Sequence, residues 1–336
     1  MPLRIGILSF AHPHANSYAS QIQALPGVEL AGIADHDTYR ADAMAAQYGV
    51  PAFPSYRSLL NTGEVDAVIV CSENIQHREL VELSAEYGKA ILCEKPLATT
   101  IADGEAMIAA CENAGVRLYT AFPCRFHPAY TRLRQTVHDG GLGTLLGART
   151  SNHGVKPGGW FTNTDLSGGG AAMDHTVHVV DLLRDLTKSE PVKVYAQINN
   201  RINHAAFDDV SLLTITFANG FFATLDGSWS RPKSFWNWGD VTMSLTGTGG
   251  TAHLDMFAQS HMVFSDKVGR PAQVNWGDDM DRHLISAFVG AATGGEPPLP
   301  LPGGAPPIAT GTDGLRATRV ALAAYRSAAS GEVATI

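Results

Sequence analysis

The sequence predicts a doubly wound parallel α/β sheet followed by an open, mainly antiparallel α+β sheet with helices on one face. Three observations predict it. Up to residue 123, apolar runs of strand length alternate with segments of helical period. Beyond that point, long strand-like runs succeed one another through tight turn signals. Helical periodicity then returns in only three segments, 171–187, 278–293 and 311–330.

In chain order, the first unit (1–123) offers the strands "LRIGILSF", "VELAGIAD", "VDAVIVCS", "KAILCE" and "VRLYTAF". Between them lie the helical segments "NSYASQIQAL", "TYRADAMAAQY", "HRELVELSAEY" and "ADGEAMIAACENA". In such a sheet ligands sit beyond the carboxyl ends of the strands. The second unit (124–336) offers "LLGARTSNH", "VKVYAQINNR", "VSLLTITFA", "GFFATLDGSWS" and "DVTMSLTG", with "ANG" and "GTGG" as turns. The Pro- and Gly-rich stretch 294–307 reads as an extended connector, and no repeat of fixed period is present.

Bulk properties exclude several functions. A chain of 336 residues with 45% hydrophobic content suits two globular units. A net charge of -8 without a run of Lys and Arg argues against nucleic acid or an anionic membrane, and leaves a small molecule as partner. No apolar stretch approaches the roughly 18 residues of a spanning helix. "MPLRIGILSF" has neither a basic signal region nor a cleavage site, so a cytoplasmic location is expected. Cys71, Cys93, Cys111 and Cys124 lack C-x-x-C spacing and are expected to be buried free thiols.

The segment "SGGGAAMDHTVHVVD" (167–181) concentrates chemistry. On a helix starting after Gly170, about 100° per residue puts His178 about 40° round from Asp174, with Asp181 on the same stripe about 20° to the other side of Asp174, while His175 points off the stripe. Oxidation of a secondary alcohol needs a base for the hydroxyl proton, which suits His178. A lysine at a strand end, Lys95, can stabilise the reacting oxygen. Asp174 can orient the imidazole or bind a substrate hydroxyl, and Asp181 reads as a structural hydrogen-bond partner. A metal on Asp174 and His178, completed by His153 or His175, is the weaker reading, and no metal ligand is assigned.

"VDAVIVCSENIQHREL", "GKAILCEKPLA", "SGGGAAMDHTVHVVD" and "TGTDGLRATRVALAAYRSAASGE" stand in the order and spacing of the glucose-fructose oxidoreductase, inositol dehydrogenase and MocA family, which the chain resembles over nearly its whole length. The most specific elements are Glu94-Lys95-Pro96 and Asp174-x-x-x-His178. The resemblance implies a Rossmann domain, nicotinamide-dependent hydride transfer to or from a sugar, polyol or inositol-like compound, and a homo-oligomer, dimer or tetramer, built through the second sheet. It also implies cofactor contacts from Ser9, Phe10, Ala11, His12, His14, Asp35, Ser72, Glu73, Asn74, His77, Glu94, Lys95 and Pro96. Arg125 is expected to hold the domain junction or reach substrate, and Lys156, Trp160, Asp174 and His175 are expected on the substrate side.

Two departures stand out. The family's G-x-G-x-x-G falls on Ser9-Phe10-Ala11-His12-Pro13-His14, with no glycine at any glycine position. A helix beginning near Pro13 would still present free N–H groups to a phosphate. Glu73 stands where the family commonly has proline. Asp35, ending the second strand, favours a free ribose and hence NAD over NADP. The altered loop also motivates a rival reading, a non-redox metal-assisted lyase or isomerase or a ligand sensor on the same scaffold.

Overall fold

The computed structural model describes residues 2–264, 266, 267, 269, 272–275 and 279–336. The chain opens with β1 (Leu3–Leu8), α1 (His14–Ala24), β2 (Val28–Ala34), α2 (Thr38–Tyr48), β3 (Ala52–Phe53) and α3 (Tyr56–Leu60). It continues through β4 (Ala67–Val70), α4 (His77–Glu86), β5 (Ala90–Glu94), α5 (Ile101–Ala114) and β6 (Leu118–Ala121). These strands form a six-stranded parallel sheet in the order β3-β2-β1-β4-β5-β6. Ile5, Ile7 and Leu8 are wholly buried, as a strand covered on both faces requires. In α1 the buried positions Ala15, Tyr18, Ala19 and Ile22 keep the helical stripe expected of them.

The remainder comprises α6 (Pro128–His138), β7 (Leu145–Val155), α7 (Thr164–Ser167), α8 (Ala171–Thr187), β8 (Pro191–Asn199), β9 (Val210–Phe217), β10 (Phe222–Arg231), β11 (Gly239–Gly247) and β12 (Gly250–Asp255). Next come β13 (Ser260–Val263), β14 (Ala272–Asn275), α9 (Met280–Thr293), α10 (Gly311–Ser330) and β15 (Ala334–Thr335). The second sheet runs β12-β11-β7-β10-β9-β8-β15 and is antiparallel except for the parallel pair β7 and β10. Patterning alone missed α3, α6 and the short strands. The helix expected at 278–293 begins at Met280; residue 278 lies outside the described residues.

Two helices tie the sheets together. Leu284, Ile285 and Phe288 of α9 join the core formed by Ile5, Tyr18 and Ile22. Helix α10 packs on α8 and β8 while also touching α5 and β6, so the carboxyl ends of the first sheet face α8 across a fixed junction. Among the described residues no helix is long and apolar enough to cross a membrane.

Candidate active site

The triple glycine before α8 serves the chain's own packing. A Cβ on Gly170 would lie 2.1 Å from the Asp208 carbonyl oxygen, and one on Gly169 would lie 2.3 Å from the Tyr325 hydroxyl. Asp208 accepts from the Gly170 and Ala172 N–H groups, holding the helix start with a carboxylate where its dipole favours negative charge. Helix α8 is buried along nearly its whole length, so Asp174, His175 and His178 are aimed by packing rather than by solvent.

Those three side chains meet Lys95, His12 and His14 around one cavity of about 340 Å³, also lined by Cys124, Asn152, Phe161 and Trp238. Lys95, just beyond β5, donates from Nζ to Asp174 Oδ1 at 2.5 Å. Burial opposes its charge, but the Asp174 and Glu94 carboxylates outweigh burial and raise its pKa, so it remains an ammonium. Asp174 is held well below the usual carboxylate range against burial by Lys95 and His175. Its Oδ2 takes the Trp229 indole N–H at 3.1 Å. His178 is different: burial and the Lys95 charge push its pKa well down, leaving a neutral imidazole whose Nδ1 has no partner. One wall thus offers a fixed cation and a proton-accepting ring. Cys124 is no rival nucleophile, since burial pushes its thiol up to about 12.

Several sequence expectations are corrected here. Asp174 anchors Lys95 and Trp229 and makes no hydrogen bond to His178, so it does not orient that imidazole. His175 does not leave the stripe's side of the helix: its Nε2 lies 3.3 Å from Asp174 Oδ2, its Nδ1 bonds the Asn152 carbonyl at 2.6 Å, and it lines the cavity. Arg125 is buried in a bidentate pair with Asp181 and also bonds the Pro307 carbonyl, which makes it a junction residue. Lys156 is exposed, 5.7 Å from the Phe207 ring centroid, and does not line the cavity. Trp160 stacks on Phe161 and donates to the Ala11 carbonyl at 3.0 Å, pinning the 157–162 segment over the first loop.

The cofactor loop departs further from its expected form. Every N–H from Ser9 to Asn16 that exists is already bonded: Phe10 to Asp35, Ala11 to the Ser9 hydroxyl, His12 to the Cys71 carbonyl, His14 to His12 Nδ1, and Ser9, Ala15 and Asn16 to backbone carbonyls. The free amides expected at the start of α1 are therefore absent: the His12 side chain takes that of His14, and the His12 and Pro13 carbonyls take those of Ala15 and Asn16. Asp35 also forms a bidentate pair with Arg40 at 2.6 and 2.7 Å, and Asp37 caps α2. His77 spends Nδ1 on the Pro96 and Leu97 carbonyls, fixing the turn that carries Lys95. Ser72 bonds the Glu73 carbonyl.

A nicotinamide dinucleotide is still chemically suited to the crevice. Glu73 Oε2 and Asn74 Oδ1, beyond the end of β4, are buried acceptors without partners. Ribose hydroxyls are the donors such atoms need. Sequence reasoning missed Tyr18, whose hydroxyl bonds Glu94 at 2.6 Å; its position four residues after His14 on α1 was the available signal. Trp229 and Asn152 reach the site from the second sheet and left no local signal.

The buried histidines make acid stability testable. Burial lowers His12 to about 3 and lowers His178 as well. As pH falls below about 6.5 the unfolded chain binds protons that these folded rings refuse, so stability is lost at up to about 1.4 kcal/mol per pH unit for each. His14, with its pKa raised by Glu94 against burial, contributes oppositely, its stabilisation being full below about 6.5 and lost as pH rises through its folded value. The expected result is a falling unfolding midpoint between about pH 6.5 and 4.5, less steep in His12→Asn. An identical slope in that variant would exclude His12 as a source.

Comparison with known proteins extends these observations. A profile described as the oxidoreductase family with NAD-binding Rossmann fold matches residues 4–122, and the GFO/IDH/MocA C-terminal domain matches residues 130–253. The chain is 26% identical to a myo-inositol 2-dehydrogenase of Thermotoga maritima, covering 97% of this chain and 96% of that protein. It is 30% identical to a trans-1,2-dihydrobenzene-1,2-diol dehydrogenase of Mus musculus, covering 78% of each. The crystal structure of an aldose-aldose oxidoreductase from Caulobacter crescentus, complexed with glycerol, aligns over 100% of both chains at 27% identity and a TM-score of 0.81.

Proposed function

The chain belongs to the GFO/IDH/MocA oxidoreductase family, and from that premise we propose that it oxidises a secondary alcohol of a sugar, polyol or inositol-like compound, or reduces the matching ketone, with NAD. The observation that carries this reading is the meeting of Lys95 and His178 at one cavity beside the strand-end crevice. The nicotinamide, when bound, takes up or returns the hydride. His178, neutral and lining the cavity, accepts the hydroxyl proton. Lys95, kept charged by Asp174, donates a hydrogen bond to the oxygen as negative charge develops there. His175 and Asn152 line the same space and offer polar contacts for further substrate hydroxyls.

Residues 1–123 hold the cofactor in this reading and residues 124–336 the substrate, with α9 returning to the first core. Leu146, Tyr195, Leu212 and Phe222, exposed on β7 to β10, support a dimer or tetramer through the second sheet, measurable by sedimentation. NAD is expected to bind at least about tenfold more tightly than NADP, a difference of about 1.4 kcal/mol. A 2′-phosphate would be desolvated against Asp35 and the Glu73 carboxylate, whose Oε2 is unpartnered, together. Calorimetric titration with both cofactors reads this directly; equal affinities would mean that Arg40 releases Asp35 to hold the phosphate. A panel of sugars and inositols with NAD, followed by absorbance of the reduced cofactor, tests the activity, and no turnover together with no NAD binding at about millimolar concentration would remove the reading.

A further inference from the structure

The histidines that replace the glycine loop do more than fill space. His12, His14 and Glu94 bring one ligand atom each to within 4.8 Å of one another. Glu94 ends β5 and is wholly buried. Its Oε1 lies 3.0 Å from His14 Nδ1 and accepts from Tyr18 at 2.6 Å, while its Oε2 accepts the Lys95 N–H at 3.0 Å and faces His12 Nε2 at 4.0 Å. Both imidazoles line the cavity.

Two observations point to a ligand at this corner. His12 Nε2 is buried and bonded to nothing, although a polar atom withdrawn from water costs free energy unless it is paired. Its ring is only 2% exposed, so bulk water does not pair it. The corner is also not a preformed phosphate cradle, since the loop amides are bonded within the chain.

We propose that His12 Nε2, His14 Nδ1 and the Glu94 carboxylate hold one divalent transition-metal ion whose remaining coordination positions open into the cavity. Two imidazoles and a carboxylate, without thiolate, suit zinc, cobalt or ferrous iron rather than the oxygen-only shells of calcium or magnesium. Metal–ligand bonds of about 2.0–2.2 Å set neighbouring ligand atoms about 3–3.5 Å apart. His14 Nδ1 lies 3.0 Å from Glu94 Oε1 and already meets this, His12 Nε2 lies 4.0 Å from the other oxygen, Oε2, and the three ligand atoms, within 4.8 Å of one another, have to draw together on ligation. Ligation at Nε2 moves the His12 ring proton to Nδ1 and gives up the long 3.2 Å contact from the His14 N–H. Lys95 is drawn aside by Asp174 at 2.5 Å, which moderates repulsion of the ion. The site stands independently of the dehydrogenase activity and uses residues to which the sequence assigned no metal role.

Metal-stripped full-length protein titrated with Zn²⁺ by calorimetry and with Co²⁺ by visible absorption, without NAD or sugar, tests the site. One ion per chain is expected, with Kd of about 10 µM or tighter and Co²⁺ bands free of thiolate charge transfer. His12→Asn and His14→Asn should each weaken binding by at least about tenfold, whereas His253→Asn, on exposed β12, should bind as the parent does. Zn²⁺ should raise the unfolding midpoint of the parent and not that of His14→Asn; because the His14 side chain is 30% exposed, this variant carries the test if His12→Asn does not fold. Absence of saturable binding up to about 1 mM, or binding left unchanged in the histidine variants that fold, would overturn the site.

Discussion

His178→Ala is expected to lower kcat by about 10²-fold or more while NAD affinity changes by less than about threefold. The reason lies in the ring's surroundings. Burial and Lys95 keep it unprotonated, so at neutral pH it stands ready to take a proton. Its depressed pKa also places the acid limb of kcat/KM below the value of a free imidazole, about 6.5. The variant should lose that limb along with its rate. Full activity in His178→Ala, or an acid limb that persists unmoved, would assign the proton to another group.

Lys95→Ala should cost about 10²–10³ in kcat, the scale of one donor aimed at a developing oxyanion. Asp174→Asn separates charge from position. Lys95 keeps its raised pKa through Asp174 and Glu94, so removing one carboxylate lowers that pKa and brings the alkaline loss of activity to lower pH. Its kcat should fall at least about tenfold, because the ammonium also loses the 2.5 Å bond that positions it. An unchanged alkaline limb in Asp174→Asn would show that Lys95 is held by Glu94 and packing alone. Thermal unfolding of both variants distinguishes these effects from a general loss of fold.

The first sheet was legible because its signals are local. Runs such as "GILSF" and "VIVCS", buried on both faces, leave no polar alternation to confuse with a loop, and helix periods fall between them. The second sheet was legible in its strands but not in its one parallel pairing, since register between β7 and β10 depends on contacts far apart in sequence. In the site, 3.6-residue periodicity correctly grouped Asp174 with His178 on α8 but misjudged His175. A helical wheel records direction from the axis, whereas what a side chain reaches depends on the sheet packed against it, here Asn152 on β7. The loop was the least legible part. That its amides would be claimed by Ser9, His12 and Asp35 follows from a tertiary arrangement, including a left-handed Ser9 at φ 71°, that no local pattern encodes.

Hydride transfer is the central claim, and a deuterium label follows it. Sugars and inositols carrying deuterium on their alcohol carbons are incubated with the protein and NAD, and the recovered cofactor is weighed by mass spectrometry. Reduced nicotinamide containing the substrate's deuterium is the expected result, with the label arriving at least about 10²-fold more slowly in His178→Ala. A substrate converted without any label on the nicotinamide would contradict the account and return the chain to a non-redox role on the same scaffold.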